Sequence, residues 1–199
     1  MLVVRYLFLT VAILVLSAIL LGHSLRSQMD AMSVQNGNWQ TTVNAGSADA
    51  GTMLRAAVAL GGLLASTRED SVYYIVETVN GEPLRLDCDY VLRGGDYDAD
   101  WWSVTAYAWD NYLIPNDYKR YSYNNENLIR DADGRWEIQV SVNKQPGNWL
   151  PTGPAASANW HKFSAKDFDL LLRLYAPGQE YLDKPASASL PEIHKVGCS

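Results

Sequence analysis

The chain has 199 residues, 48% of them hydrophobic and 19% charged, with a formal net charge of −6 at pH 7. That acidic balance argues against a protein that grips nucleic acid or anionic lipid by charge. The apolar residues are unevenly spread: residues 2–22 form an apolar run whose only charge is Arg5.

A helix rises about 1.5 Å per residue, so this run matches a hydrocarbon core of about 30 Å. It contains neither Pro nor mid-span Gly, and its backbone can satisfy itself as one helix. Arg5 can snorkel to the interface, and Tyr6 belongs at the same depth. The alternative is a cleaved signal peptide, for which Gly22-His23-Ser24 is a tolerable small-x-small site. The run exceeds the usual hydrophobic region of about 7–15 residues, which favours an uncleaved anchor. Arg5 and Arg26 flank it almost evenly, so the positive-inside rule decides little. All 22 acidic residues lie beyond the run, and a short head with a long acidic tail favours export of the remainder. The expected organisation is an anchor over 1–26, a linker over 27–35 and one domain over 36–199.

The first element of that domain is a helix over 50–66, with Asp49 as its cap and Met53, Leu54, Ala57, Val58, Leu60 and Leu64 on one face. Gly61-Gly62 would weaken it and points to close packing. Strands follow. Residues 71–79 are β-branched and aromatic, Asn80-Gly81 turns the chain into 84–92, and Gly94-Gly95 ends that strand. Residues 101–109 form the next, broken by Asp110-Asn111. Asp133-Gly134 turns into Trp136, Ile138, Val140 and Val142, which alternate with polar residues. Residues 167–175 place Phe168, Leu170, Leu172 and Leu174 on one face. The Pro/Gly/Ala/Ser-rich stretches 146–158 and 184–189 read as a loop and a tail. Short strands at this spacing with one helix predict a mainly β domain, an antiparallel β-sandwich of jelly-roll-like form.

Cys88 and Cys198 are the only cysteines. In an oxidising compartment they form a disulfide candidate, and their spacing is useless for zinc. Cys88 shares a face with Leu86, Tyr90 and Leu92, pointing inward; the alternative is a buried inert thiol and a free terminal one. Asp96, Asp98 and Asp100 alternate as at the start of a calcium loop. Trp101 and Tyr107 stand where that loop needs Gly and Glu, so the stretch reads as a solvated acidic turn. His161 and His194 lack any accompanying nucleophile elbow, zinc helix or phosphate loop. No motif for a metal or cofactor is present. Two-carboxylate hydrolysis has many acids available and nothing in sequence to select a pair. Seven Trp and twelve Tyr are the more suggestive feature. They suit strands and cores, and they also suit a stacking platform for a sugar or flat ligand. Trp149, Tyr121, Tyr107 and Arg173, polar-tipped and near turns or on less apolar faces, are the ligand-binding candidates.

Several stretches carry a resemblance to a bacterial family. They are Arg55-Ala56-Ala57-Val58-Ala59-Leu60-Gly61-Gly62-Leu63, Trp102-Ser103-Val104-Thr105-Ala106-Tyr107, Arg120-Tyr121, Asp131-Ala132-Asp133-Gly134, Asn148-Trp149-Leu150-Pro151 and Leu172-Arg173-Leu174-Tyr175-Ala176-Pro177. In order and spacing, over residues 36–198, the chain resembles the family called domain of unknown function 1214, in its short membrane-anchored form. The resemblance implies a β-rich domain with no assigned catalytic residue. Members are often fused to, or encoded beside, domain of unknown function 1254; this chain has no room for it, which implies a separate partner protein. Residues 152–166 look like a longer loop than relatives carry. The expectation is therefore a single-pass protein of the inner membrane, held by residues 2–22, with a periplasmic-side domain that binds a partner or an aromatic-cleft ligand. The alternative is a hydrolase, alone or as half of a two-protein enzyme, or a purely structural envelope protein.

Overall fold

The computed structural model describes residues 2–48, 50–60, 66–153 and 167–198. The chain divides into two compact units, Met1–Ser33 with Asn44–Thr67, and Val34–Val43 with Arg68–Ser199.

In the first unit, helix α1 (Leu2–Met32) contains the apolar span Val4–Ser24, whose mean hydropathy is 2.4 and whose side chains are all exposed. By length and composition it can cross a membrane, a property that anchors and signal sequences share. The helix reaches into the stretch expected to be a linker. The helix continues through Met32, because no Gly or Pro interrupts residues 23–32. A second helix, α2 (Thr52–Leu60), falls inside the expected 50–66. The Arg55 guanidinium donates to the Ala48 carbonyl at 2.5 Å and the Ala50 carbonyl at 3.0 Å, tying the helix to the preceding turn. Asp49 and Gly61-Gly62 lie outside the described residues.

The second unit is mainly β. In chain order its strands are β1 (Val34–Asn36), β2 (Trp39–Thr41), β3 (Ser71–Val76), β4 (Thr78–Val79), β5 (Glu82–Pro83) and β6 (Cys88–Gly94). They continue as β7 (Ala99–Ala108), β8 (Ser122–Asn124), β9 (Trp136–Ser141), β10 (Asn148–Pro151) and β11 (Phe168–Pro177), then a short helix α3 (Gln179–Asp183) and β12 (Glu192–Cys198). A six-stranded sheet runs β1-β2-β3-β11-β7-β8 and a four-stranded sheet runs β10-β9-β6-β12. The β4–β5 hairpin turns on Asn80 and Gly81 at φ 55° and 80°, the left-handed pair its two-residue loop demands.

Alternation along the strands builds the interior. Val72, Tyr74 and Val76 of β3, Trp102, Val104 and Ala106 of β7, and Leu170, Leu172 and Leu174 of β11 share one buried cluster with residues of the smaller sheet. The smaller sheet contributes Tyr90, Leu92, Trp136, Ile138, Val140 and Ile193. Trp136 and Tyr97 close on Gly94, where an added Cβ would collide with the indole and with the phenol oxygen. Cys88 is fully buried and is disulfide-bonded to Cys198, its partner in the β6–β12 register.

Two stretches depart from expectation. Within 146–158, β10 pairs with β9 in parallel, Asn148 beside Ile138, so the pairing is not wholly antiparallel. Parallel neighbours ordinarily need a crossover of about a dozen residues or more, whereas residues 142–147 alone make this one. Tyr123 covers the outer edge of β10: its hydroxyl accepts from the Trp149 N–H at 2.9 Å and donates to the Trp149 carbonyl at 3.3 Å. The expected tail is sewn to the domain. Asn36 donates to the Pro185 and Ala188 carbonyls at 3.1 and 2.9 Å, Trp39 to Pro191 at 2.7 Å, and Tyr181 to Ser189 at 3.1 Å.

Candidate functional site

The alternation that buries Leu170, Leu172 and Leu174 turns Asp169, Leu171, Arg173 and Tyr175 to the opposite face of the six-stranded sheet. Register then decides their neighbours. Arg173 lies between Tyr73 on β3 and Ser103 on β7, Leu171 between Ile75 and Thr105, and Asp169 beside Tyr107. One step past the last β3–β11 pair, Leu170 with Val76, brings Glu77 across from Asp169.

The half-buried Arg173 guanidinium leans along the strand toward Tyr107. It donates to the Tyr107 hydroxyl at 2.5 Å and to the Thr105 hydroxyl at 3.2 Å. The rings of Tyr107 and Tyr73 flank it, 5.3 and 5.9 Å from its central carbon, close enough for cation–π attraction. The Asp169 carboxyl is pushed up to about 7, first by burial and then by the charge of Glu77, while Arg173 pulls it down. Gln40 on β2 donates to Glu77 at 3.0 Å. A fixed cation, two phenols and a carboxyl that exchanges its proton near neutrality therefore meet on one face.

A cavity of about 840 Å³ lies elsewhere, a groove on the four-stranded sheet, lined by Arg93, Arg130, Arg135, Glu137, Gln139 and Asn148 among others. Most of its polar groups are already spent on one another. Glu137 accepts from Arg93 at 2.7 Å and from Gln139 at 2.6 Å, Arg130 bonds Asp96 and the Gly134 carbonyl, and Asn148 is satisfied by Ile129 and Glu137. Among the described residues the sheet-face cluster keeps donors unspent, which makes it the better candidate.

Of the four candidate residues, the structure brings Tyr107 and Arg173 together. Trp149 is 1% exposed, its indole donates to the Ser141 carbonyl and hydroxyl at 3.1 Å each, and its ring meets Tyr118 edge-on. It is an interior side chain here and no open platform. Tyr121 is half-buried just before β8, and no hydrogen bond among the described residues joins it to Arg173 or Tyr107. His161 lies outside the described residues; His194 is exposed on β12, 3.4 Å from Glu192. Asp96 accepts from the Trp102 indole at 3.2 Å and from Arg130 at 3.3 Å. Among the described residues no group of three or more His, Cys, Asp or Glu is placed to hold a metal ion. Sequence reasoning missed Asp169, Glu77, Thr105 and Tyr73. The signal for Asp169 was available, since it alternates with the same leucines that defined the strand.

Among solved structures, the chain is similar to the VPA0106 protein of Vibrio parahaemolyticus at 24% identity and a TM-score of 0.55, covering 74% of this chain and 36% of that one. That likeness is one of fold. An uncharacterised protein from Burkholderia cenocepacia matches at 16% identity and a TM-score of 0.38, over 64% of this chain and 29% of its own. The chain thus spans well under half the length of either. No curated protein matches it. Over residues 70–179, which include β3, β11 and the whole Asp169–Arg173 face between them, the chain matches the family described as protein of unknown function (DUF1214), and it belongs to that family.

Proposed function

We propose that this protein is an envelope binding module: a domain of sandwich form, anchored in the inner membrane by α1 and exposed on the periplasmic side, that takes a ligand or partner on the outer face of its six-stranded sheet. The observation that carries the reading is Arg173, a half-buried cation whose hydrogen bonds go to neutral hydroxyls and whose flanks are two tyrosine rings. A guanidinium partly withdrawn from water is costly unless something compensates it, and a bound group would do so. The apolar span and the disulfide both suit the envelope or a secreted location. A separate protein carrying domain of unknown function 1254 is the proposed partner.

The test is to extract the full-length protein from its native membrane in mild detergent and record its native mass spectrum. A co-purifying protein or small mass that disappears on Arg173→Met supports the reading. A bare chain, or capture indifferent to Arg173→Met, counts against it.

The hydrolase reading keeps one specific support, the Asp169 carboxyl poised near 7, where a general acid or base works best. On that reading the protein, alone or with its partner, turns over an ester, sulfate or glycoside substrate, and Asp169→Asn abolishes turnover without unfolding. Absence of turnover by both the protein and its complex would remove it.

A further inference from the structure

The Arg173 face, taken as a binding face, also has a chemical sign, and the inference rests on that reading. Arg173 carries five N–H donors and no acceptor. Two of them end on the oxygens of Thr105 and Tyr107, so both hydroxyls are acceptors in these bonds and each keeps its own proton to donate. No other hydrogen bond among the described residues uses either hydroxyl. Three kinds of donor therefore converge, with one full positive charge, and among the described residues the only acceptors they bond are the two hydroxyl oxygens themselves.

The carboxyls nearby do not supply the missing acceptor. Glu77 is engaged by Gln40. Asp169 acts on Arg173 through space, and with its proton shared near pH 7 it is a part-time counter-ion at most. A cationic ligand would meet the guanidinium head-on. A long polyanion would meet a chain of net charge −6. A single oxyanion fits: it accepts from every donor present, and its oxygens match the planar fork of Arg173.

We propose that Arg173, Tyr107 and Thr105 form a subsite for one oxyanion group, the carboxylate, sulfate or phosphate head of an otherwise uncharged ligand. Binding there is linked to a proton. The groups facing Asp169 are Glu77 beyond β3, Tyr107 on β7 and Arg173 on its own strand. An anion seated on Arg173 cancels the one charge that favours ionised Asp169, so Asp169 takes up a proton as the anion enters. Affinity falls as pH rises through about 7, the value to which Asp169 is pushed up.

The experiment titrates full-length protein in detergent with sodium sulfate, sodium phosphate and sodium acetate, against sodium chloride at equal ionic strength, by calorimetry and thermal melting at pH 6 and pH 8. At least one oxyanion should bind, more tightly at pH 6. Arg173→Lys, which keeps charge and loses the fork, and Tyr107→Phe should each weaken it, on the order of tenfold for the first. Asp169→Asn should remove the pH difference in affinity. Melting in chloride reports whether each variant is folded. No oxyanion effect in the wild type, or one unchanged in folded Arg173→Met, overturns the subsite. If the native mass spectrum still shows an Arg173-dependent capture of a neutral or cationic species, the binding face survives and only its anionic character falls. If capture ignores Arg173, both fall.

Discussion

Burial and the charge of Glu77 push the Asp169 carboxyl toward its protonated form, and stability responds to pH as a result. That carboxyl sits at about 7 in the folded protein against an ordinary 3.8, through burial first and Glu77 second. Between those values the folded state binds the extra proton, so stability is full at low pH and is lost as pH rises toward 7. The slope contributed by this one group is at most about 1.4 kcal/mol per pH unit. Asp169→Asn should remove it, so the variant gains on the wild type when denaturant midpoints are compared at pH 5 and pH 8. Equal differences at both pH values would mean that Asp169 titrates normally. Trp149 makes the opposite case, a candidate for function that packing claims. Trp149→Ala empties an interior site and strands the Ser141 groups it bonded, and should cost about 3–5 kcal/mol in chemical denaturation. A loss below about 1 kcal/mol would return the ring to the surface. In sequence the two residues were equally ambiguous. An amphipathic indole suits a core and a platform alike, and Asp169 carries no mark beyond its alternation with the strand's leucines. Tyr107 and Arg173 were legible because they sit on strands whose other face is apolar, but their meeting depends on a pairing between β7 and β11, more than 60 residues apart in the chain.

At the scale of elements, what could be read was what local chemistry dictates. Alternation announced β9 and β11, and Asn80-Gly81 announced a hairpin. β10 and β12 were hidden for two different physical reasons. β10 is buried on all four of its residues and lies beside Pro146 and Gly147, so it has neither alternation nor clear flanks. β12 is exposed on six of its seven residues and is defined by what holds it: its ladder to β6 and the Cys88–Cys198 bond. The bond closes a separation of 110 residues, so in the chain-entropy account it stabilises by about 4–5 kcal/mol. Cys88→Ser with Cys198→Ser should therefore cost about 2–5 kcal/mol, the range found for native disulfides of small exported domains. The loss should be local as well as global. Amide exchange at His194 and Lys195, paired to Val91 and Tyr90, should quicken well before that of β9. Unchanged exchange in β12 would mean the ladder alone secures the chain end.

For the whole molecule, two independent physical features suit an envelope or secreted location. The span Val4–Ser24 is apolar enough to leave the cytosol, and the cysteine pair is bonded in a way that reducing cytosol does not sustain. Neither feature by itself separates an anchor from a cleaved leader, and the difference matters for the proposed function, because a tethered module meets its partner at the membrane and a released one does not. The proposed function takes the tether. Helix α1 runs for 31 residues, past Gly22-His23-Ser24 to Met32. Protein recovered from its native membrane should therefore carry the full-length mass and stay in the pellet through alkaline and high-salt washing, which strip proteins held by charge or by a partner. A mass short by the first 22 to 24 residues, with the protein in the wash, would make α1 a leader and the β-domain a soluble envelope binder, leaving the Arg173 face to be judged on ligand capture alone.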